Sequence, residues 1–140
     1  MIESSEHEEE QGLLAALEDR SLPTDRFTHR RHLHLAWLYL RRYGFPAGAV
    51  RFVETLRAYV AHHGVPQKYH ETMTWAYVVL LNEELCLRAP AGETFEQLML
   101  RRPDLLSHRN GPLFRYYSAA QLDGEEARRV FVLPYPPRAA

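Results

Sequence analysis

The stretch from Phe27 to Tyr43, FTHRRHLHLAWLYLRRY, decides the fold of this chain. If it forms an α-helix, residues three and four apart share one face. That spacing places six side chains together: His29, His32, Leu33, Ala36, Trp37 and Leu40. Four of the six are typical of a protein core, and the other two are imidazoles near the start of the helix. Thr28 is placed to cap the start of this helix, and Gly44 to end it after Tyr43. His34 falls on the opposite face, where we expect it to be solvated.

Three other long segments have helical patterns with recognisable ends. An amphipathic helix is predicted from Glu8 to Arg20, and Ser21-Leu22-Pro23 breaks it. Pro46 is placed to open a second helix, which ends at His62-His63-Gly64. Another is predicted from Lys68 to Leu87. Apolar residues surround most of this last helix, so we expect it to be the most buried of all.

The rest of the chain is predicted to be short helices and irregular segments. Three capping boxes, each a Ser, Thr or Asp followed three residues later by Gln or Glu, open short helices: Thr94 with Gln97, Ser118 with Gln121, and Asp123 with Glu126. Between them, SHRNGP at 107–112 has the residues of a turn, and it contains His108. The end of the chain, LPYPPRAA, is proline-rich and is expected to be extended.

These patterns predict an all-α protein, a compact bundle of about four to six helices with an irregular Pro-rich C-terminal segment. The chain has 140 residues, which suits one hydrophobic core. We divide it into an acidic N-terminal arm with a short amphipathic helix, residues 1–22, and a single helical domain, residues 23–140. No pair of segments has the alternating pattern of strands.

Composition excludes several classes of function. The formal net charge is −1, and a nucleic-acid-binding protein would usually carry a basic face. No apolar run approaches the roughly 18 residues of a membrane span, and the acidic start has no apolar core of a signal peptide. We therefore expect a cytoplasmic protein whose partner is a small molecule, with a homodimer as an open alternative.

Two side-chain placements follow from the same helical patterns. Cys86 is the only cysteine and lies in an apolar helical run, so it is expected in the core rather than as a reactive thiol. Tyr116 and Tyr117 are expected to divide, with one ring in the core and one at the surface. Neither residue type in this setting indicates a catalytic role by itself.

The two imidazoles on the core face of the central helix need partners, because burying an unpaired polar group costs about 1–3 kcal/mol. The segment KYHET, residues 68–72, supplies the best candidate, His70. Helices joined by short connections run antiparallel, so the first and third helices of such a series run parallel and start at the same end. His29, His32 and His70 are then expected to meet. Three imidazoles suit a divalent transition metal, Zn, Fe, Cu or Ni.

Three residues beside His70 complete the predicted site. Glu71 is the candidate for a fourth ligand or a general base. Tyr69 and Lys68 are candidates for orienting or polarising a substrate. Lys68 is the only lysine among 17 basic residues, and an ammonium can titrate or form a Schiff base where a guanidinium cannot. The simpler interpretation is an ordinary exposed lysine.

The residues leave three functions open. The leading hypothesis is a small metalloprotein, an enzyme of the hydrolase or oxygenase type that acts on a small molecule at a His-rich site between helices. The first alternative is a non-enzymatic ligand-binding or dimeric interaction module, in which the histidines form a metal-free polar layer. The second is a metal-free enzyme that uses His70 and Glu71 as acid and base.

The motifs FTHRRHLHLAWLYL, KYHETMTWAY and RYYSAAQL resemble those of a group of small bacterial proteins. Members of the group share F-x-H-x-x-H-L-x-x-A-W-x-Y-L, K-Y-H-x-T-x-T and a Y-Y-S turn, and the resemblance covers roughly residues 27 to 135. It implies no activity. It singles out His29, His32 and His70, the same three histidines that the helical spacing brings together.

Overall fold

The computed structural model describes residues 2–107 and 111–135, with side chains from residue 5 onward. Within these ranges the chain forms seven α-helices and no strand, so the all-α prediction is confirmed. In chain order the helices are α1 (Ile2–Glu18), α2 (His29–Tyr43), α3 (Ala47–His62), α4 (Glu71–Glu83), α5 (Phe95–Arg101), α6 (Ala119–Asp123) and α7 (Glu125–Arg129). None of the described helices has both the length and the apolar character needed to cross a membrane.

The predicted central helix is present as α2, with the predicted ends. The Thr28 hydroxyl caps its start by accepting a hydrogen bond from the Arg31 N–H at 3.2 Å. The chain leaves the helix at Gly44, whose φ of +76° is accessible to glycine at little cost. α2 packs against α1, α3 and α4, so it forms the centre of the bundle.

α2 is more buried than α4, which corrects the expectation that the helix beginning near Lys68 is the most buried. Seven of the fifteen residues of α2 are buried, against five of thirteen in α4. The reason is that α2 is covered on two sides. α3 and α4 pack against one side, and α1 together with Phe95 of α5 covers the other.

His34 is part of that second covered side and is not solvated, contrary to the prediction. Its Nε2 lies 2.8 Å from a carboxylate oxygen of Glu10 in α1. Its ring stacks on Phe95, with ring centroids 4.2 Å apart, and 22% of the side chain is exposed. Burial lowers the pKa of His34, although the neighbouring Glu10 opposes this shift. The physical reason for the error is that two distant segments, α1 through Glu10 and α5 through Phe95, pack against this face of α2.

The helix predicted over 68–87 differs at both ends. Residues Pro66–Lys68 form a separate 3-10 turn, and α4 begins after His70. After α4 the chain continues as a π-helical turn, Glu84–Arg88, whose wider turn changes which side chains face inward. Glu84 is consequently buried and Cys86 is exposed, so the prediction of a core cysteine is wrong.

The buried Glu84 is paired, as a buried carboxylate must be. One of its oxygens accepts a hydrogen bond from Arg101 at 2.7 Å, and the other pairs with Arg102. Arg101 also forms a two-point contact with Glu93, at 2.8 and 2.9 Å. These pairs tie the π turn to α5. Hydrogen bonds to Glu93 and Glu84 raise the pKa of Arg101, and the hydrogen bond to Asp104, with a smaller contribution from Glu84, raises that of Arg102.

The C-terminal part follows the prediction in outline. Ser118 caps α6 by accepting the Gln121 N–H. The N-cap residue of α7 is Gly124, which has no side chain to cap the helix, so the capping box predicted at Asp123 is not formed. Tyr117 is buried and Tyr116 is 56% exposed, which confirms the predicted division of this pair. In the predicted turn at 107–112, residues 108–110, which include His108, lie outside the described residues.

After α7 the chain runs extended along α4. The Thr72 hydroxyl donates a hydrogen bond to the Val130 carbonyl at 3.0 Å and accepts one from the Val132 N–H at 3.2 Å. The Tyr117 hydroxyl donates to the Val132 carbonyl at 2.7 Å. The irregular C-terminal segment is therefore fixed against the bundle as far as Tyr135.

Close packing of α2 against α3 depends on Gly48. A Cβ atom at this position would lie 2.4 Å from the Tyr39 carbonyl oxygen, which is main-chain and cannot swing aside. We expect Gly48→Ala to lower the free energy of unfolding by about 1–3 kcal/mol through overpacking. Gly12→Ala in α1 is the matched control, because nothing lies within 4 Å of a Cβ there. It should stabilise the protein by about 0.5–1 kcal/mol. Urea unfolding measures both, and a gain for Gly48→Ala would contradict the close contact.

Candidate ligand-binding cavity

A cavity of about 430 Å³ lies where α2 and α4 begin, and we call it the imidazole cavity. Five of the six predicted site residues line it: His29, His32, Lys68, Tyr69 and His70. The others that line it are Thr24, Phe27, Thr28, Leu56, Tyr59, Val60, Val65, Met73, Thr74, Tyr77 and Arg128. The two helix starts thus lie together, as the short connections between helices indicated.

His70 holds two parts of the chain with one ring. Its Nδ1 accepts a hydrogen bond from the Met73 N–H at 3.1 Å, which caps α4. Its Nε2 lies 2.7 Å from the Leu122 carbonyl oxygen in α6. A carbonyl only accepts, so Nε2 carries the proton and the ring is neutral. Burial lowers the pKa of His70, and the positive charge of Arg128 lowers it further.

His29 and His32 occupy the first turn of α2 and line the same cavity. The Nε2 of His29 lies 2.8 Å from the Leu105 carbonyl oxygen, so this nitrogen also donates. The His29 ring meets Tyr77 edge to face, with centroids 5.0 Å apart. The His32 ring makes edge contacts with Phe27 and Phe52. Both imidazoles are therefore packed into the wall between aromatic rings.

Glu71 is the predicted site residue that does not line the cavity. One of its oxygens accepts a hydrogen bond from the Tyr69 hydroxyl at 2.6 Å. The other pairs with Arg57 of α3, whose guanidinium also lies over the Tyr69 ring. Burial and the neighbouring Glu71 raise the pKa of Tyr69, so the phenol stays protonated. The roles of Glu71 as ligand or base stay predictions, with both of its oxygens engaged in this cluster.

Two cations stand at the rim of the cavity. Lys68 ends the 3-10 turn and is exposed. Arg128 of α7 reaches across from the other side, and its guanidinium donates a hydrogen bond to the Gln67 carbonyl at 2.8 Å. This bond ties Arg128 to the residue before Lys68, and both cations line the cavity. Neither forms an ion pair with any described residue.

Sequence reasoning missed the aromatic wall and Arg128. Tyr59 stacks on Phe27 with centroids 5.3 Å apart and donates its hydroxyl to the Leu22 carbonyl. Tyr77 is buried, and burial raises its pKa to about 12. The helical period of α3 and α4 marked these rings as core residues but not as cavity residues. No local pattern indicates that Arg128 returns to the start of α4.

The arrangement does not fit a metal ion held by all three predicted ligands. Both nitrogens of His70 are engaged, one by a helix N–H and one by a carbonyl, and His29 directs Nε2 to a carbonyl. Among the described residues, no group of three or more His, Cys, Asp or Glu is placed to hold a metal ion. The metal site stays a prediction, and ligation by His70 would require breaking the bonds that cap α4 and hold α6.

A second cavity, of about 820 Å³, lies between α1, α2 and the start of α5. Its walls include His34 and carry charges of both signs. Two pairs are already formed there, His34 with Glu10 and Arg30 with Glu96. Because acidic and basic side chains both line it, this surface has no single sign of charge, unlike the imidazole cavity.

Comparison of the chain with protein families, with curated proteins and with solved structures gave no match.

The double role of His70 can be separated by substitution. His70→Ala removes the cap and the bond to Leu122, and we expect the free energy of unfolding to fall by about 1–3 kcal/mol. His70→Asn keeps a side-chain acceptor suited to a helix cap but is too short to replace the imidazole at Leu122. It should recover part of the loss. Chemical denaturation measures both variants, and equal losses would show that the cap contributes nothing.

The neutral state of His70 makes stability depend on pH. The unfolded chain binds a proton at histidine near pH 6.5, whereas the folded chain resists protonation at His70. The contribution of His70 to the free energy of unfolding is therefore fully present above about pH 6.5 and is lost as the pH falls below that value. Urea unfolding from pH 7.5 to 5 should show this loss, with a smaller decrease for His70→Asn. Identical pH profiles for the parent protein and His70→Asn would show that His70 does not cause the loss of stability. His34, whose pKa is also lowered, accounts for part of the decrease that remains.

Proposed function

We propose that this chain is a small-molecule-binding domain whose ligand occupies the imidazole cavity. The observation that carries the proposal is the cavity itself, about 430 Å³ at the junction of two helix starts. Small-molecule sites in proteins commonly measure about 300–1,000 Å³ and have mostly apolar walls with a few polar groups. This cavity has that composition, since aromatic and aliphatic side chains alternate with imidazoles and hydroxyls.

The histidines act in this proposal as a neutral polar layer that fixes the wall. His29 and His70 each hold a main-chain carbonyl of a different segment, Leu105 and Leu122. Those bonds keep the chain after α5 and the start of the C-terminal helices in place around the cavity. This corresponds to the first alternative from the sequence, a ligand-binding module in which the histidines form a metal-free polar layer.

The metalloenzyme hypothesis receives less support from the same contacts, because His70 would have to release the helix cap and the Leu122 carbonyl to bind a metal. Stoichiometric metal in protein purified without a histidine tag, and its loss in His70→Ala, would reverse this preference.

Binding of a neutral fluorescent probe tests the proposal without assuming the charge of the ligand. N-phenyl-1-naphthylamine becomes brighter in apolar surroundings, and we expect it to bind the protein at one site. Met73→Trp places a larger ring on the cavity wall in α4 and should weaken binding about tenfold or more, since filled space excludes the probe. Val79→Trp, on the same helix but 39% exposed and outside the cavity lining, is the matched control and should bind as the parent does.

Circular dichroism establishes that each variant is folded before titration. Val65→Phe fills the cavity from the segment after α3 and provides a second test if Met73→Trp does not fold. Absence of probe binding to the parent protein, or equal binding by the filled variants, would overturn the proposal.

A further inference from the structure

We infer that the ligand of the imidazole cavity is a small organic acid, with a carboxylate bound between Lys68 and Arg128 and an apolar body held among the aromatic rings. This inference rests on the proposed function and adds the chemical class of the ligand. It is carried by the two cations of the lining, by the hydrogen bond that fixes Arg128, and by the hydrogen bonds that already engage His29, Tyr59 and His70.

The charges that line the cavity have one sign. Its lining includes one lysine and one arginine, and none of the described residues that line it is an aspartate or glutamate. The nearby Glu71 is compensated by Arg57 and by the Tyr69 hydroxyl. Lys68 and Arg128 are the charged residues of the described lining, while the carboxylates of Asp25 and Asp123 act on Tyr59 and His70 from outside it. A cavity with positive charge and apolar walls concentrates anions.

A hydrogen bond to the Gln67 carbonyl fixes the position of Arg128. That bond uses one N–H group of the guanidinium, so most of its N–H donors remain for a ligand. One terminal nitrogen donates to the Gln67 carbonyl, and no described carboxylate pairs with the rest of the guanidinium. A planar guanidinium binds a carboxylate at two points. Lys68, which follows Gln67 in the chain, lines the same cavity and supplies the second positive charge.

The remaining lining suits the other end of such a molecule. Phe27 and Tyr59 stack on each other, and Met73 adds a flexible apolar side chain. The Tyr59 hydroxyl is turned to the Leu22 carbonyl, so it is its ring that faces a ligand body. Charge at one end and rings along the wall match an amphipathic acid better than a sugar or an inorganic ion.

A carboxylate also fits better than a phosphate. Proteins often bind phosphate through main-chain N–H groups in the first turn of a helix. At both helix starts of this cavity such a group already has a side-chain partner. The Arg31 N–H donates to Thr28 in α2, and the Met73 N–H donates to His70 in α4.

Calorimetric titration with three related probes tests the inference: 2-naphthoate, its neutral amide 2-naphthamide, and 2-naphthyl phosphate. We expect naphthoate to bind about tenfold more tightly than the amide, since a charge-assisted hydrogen bond is added. The phosphate should bind more weakly than naphthoate. The preference for the acid should decrease as salt is raised from 50 to about 500 mM, because salt screens exposed charges.

Substitutions assign the preference to the two cations. Lys68→Met and Arg128→Met should each reduce naphthoate affinity about fivefold to tenfold and leave the amide unchanged. Arg129→Met is the matched control, because Arg129 is the exposed neighbour of Arg128 and does not line the cavity. It should leave all three affinities as they are. The naphthoate loss in Lys68→Met, at an exposed turn position, does not depend on folding of the Arg128 variant.

The outcomes separate this inference from the proposed function. Equal binding of acid and amide, tighter binding of the phosphate, or equal effects of Arg128→Met and Arg129→Met would overturn the carboxylate inference. The cavity would remain a binding site if N-phenyl-1-naphthylamine still bound. If neither that neutral probe nor any naphthyl compound bound, the proposed function would itself be wrong.

Discussion

The fold around the cavity depends on one neutral imidazole. His70 accepts the Met73 N–H in the first turn of α4 and donates to the Leu122 carbonyl, so a single ring caps the start of one helix and positions another. Both bonds need the same tautomer, with the proton on Nε2. Protonation would remove the acceptor of the helix cap, and burial resists it. The protonation state of His70 therefore determines where α4 starts, where α6 lies and what shape the cavity wall has.

That constraint also determines the electrostatics of the cavity. If His70 were charged, a positive group would lie near Arg128 in a partly buried place, and the two would repel each other. Because the imidazole stays neutral, the positive charge is confined to the rim, where Lys68 and Arg128 are in reach of solvent. The interior remains a polar but uncharged wall. Separation of charge at one end from apolar surface at the other follows from the hydrogen bonds of the fold.

Sequence reasoning predicted the features that are decided within a few residues. Thr28, Gly44 and the Thr94–Gln97 capping box act on adjacent turns, and the structure has each of them as expected. The meeting of His29 with His70 at one cavity also followed, because short connections leave few ways to pack the helices. The missed features depend on contacts between distant segments. His34 is covered by α1, Cys86 is exposed by a π turn, and Arg128 comes from a helix of five residues.

The histidine pattern illustrates why a motif can suggest one chemistry and a fold can use another. Imidazoles at helix starts resemble metal ligands in a sequence, but the same positions require side-chain acceptors for free helix N–H groups. A ring nitrogen that accepts such a hydrogen bond has no lone pair left for a metal. The groups available to a ligand are those that the fold has not engaged. At the imidazole cavity the charged groups of this kind are most of the Arg128 guanidinium and the Lys68 ammonium, which is why the ligand chemistry is inferred from the two cations.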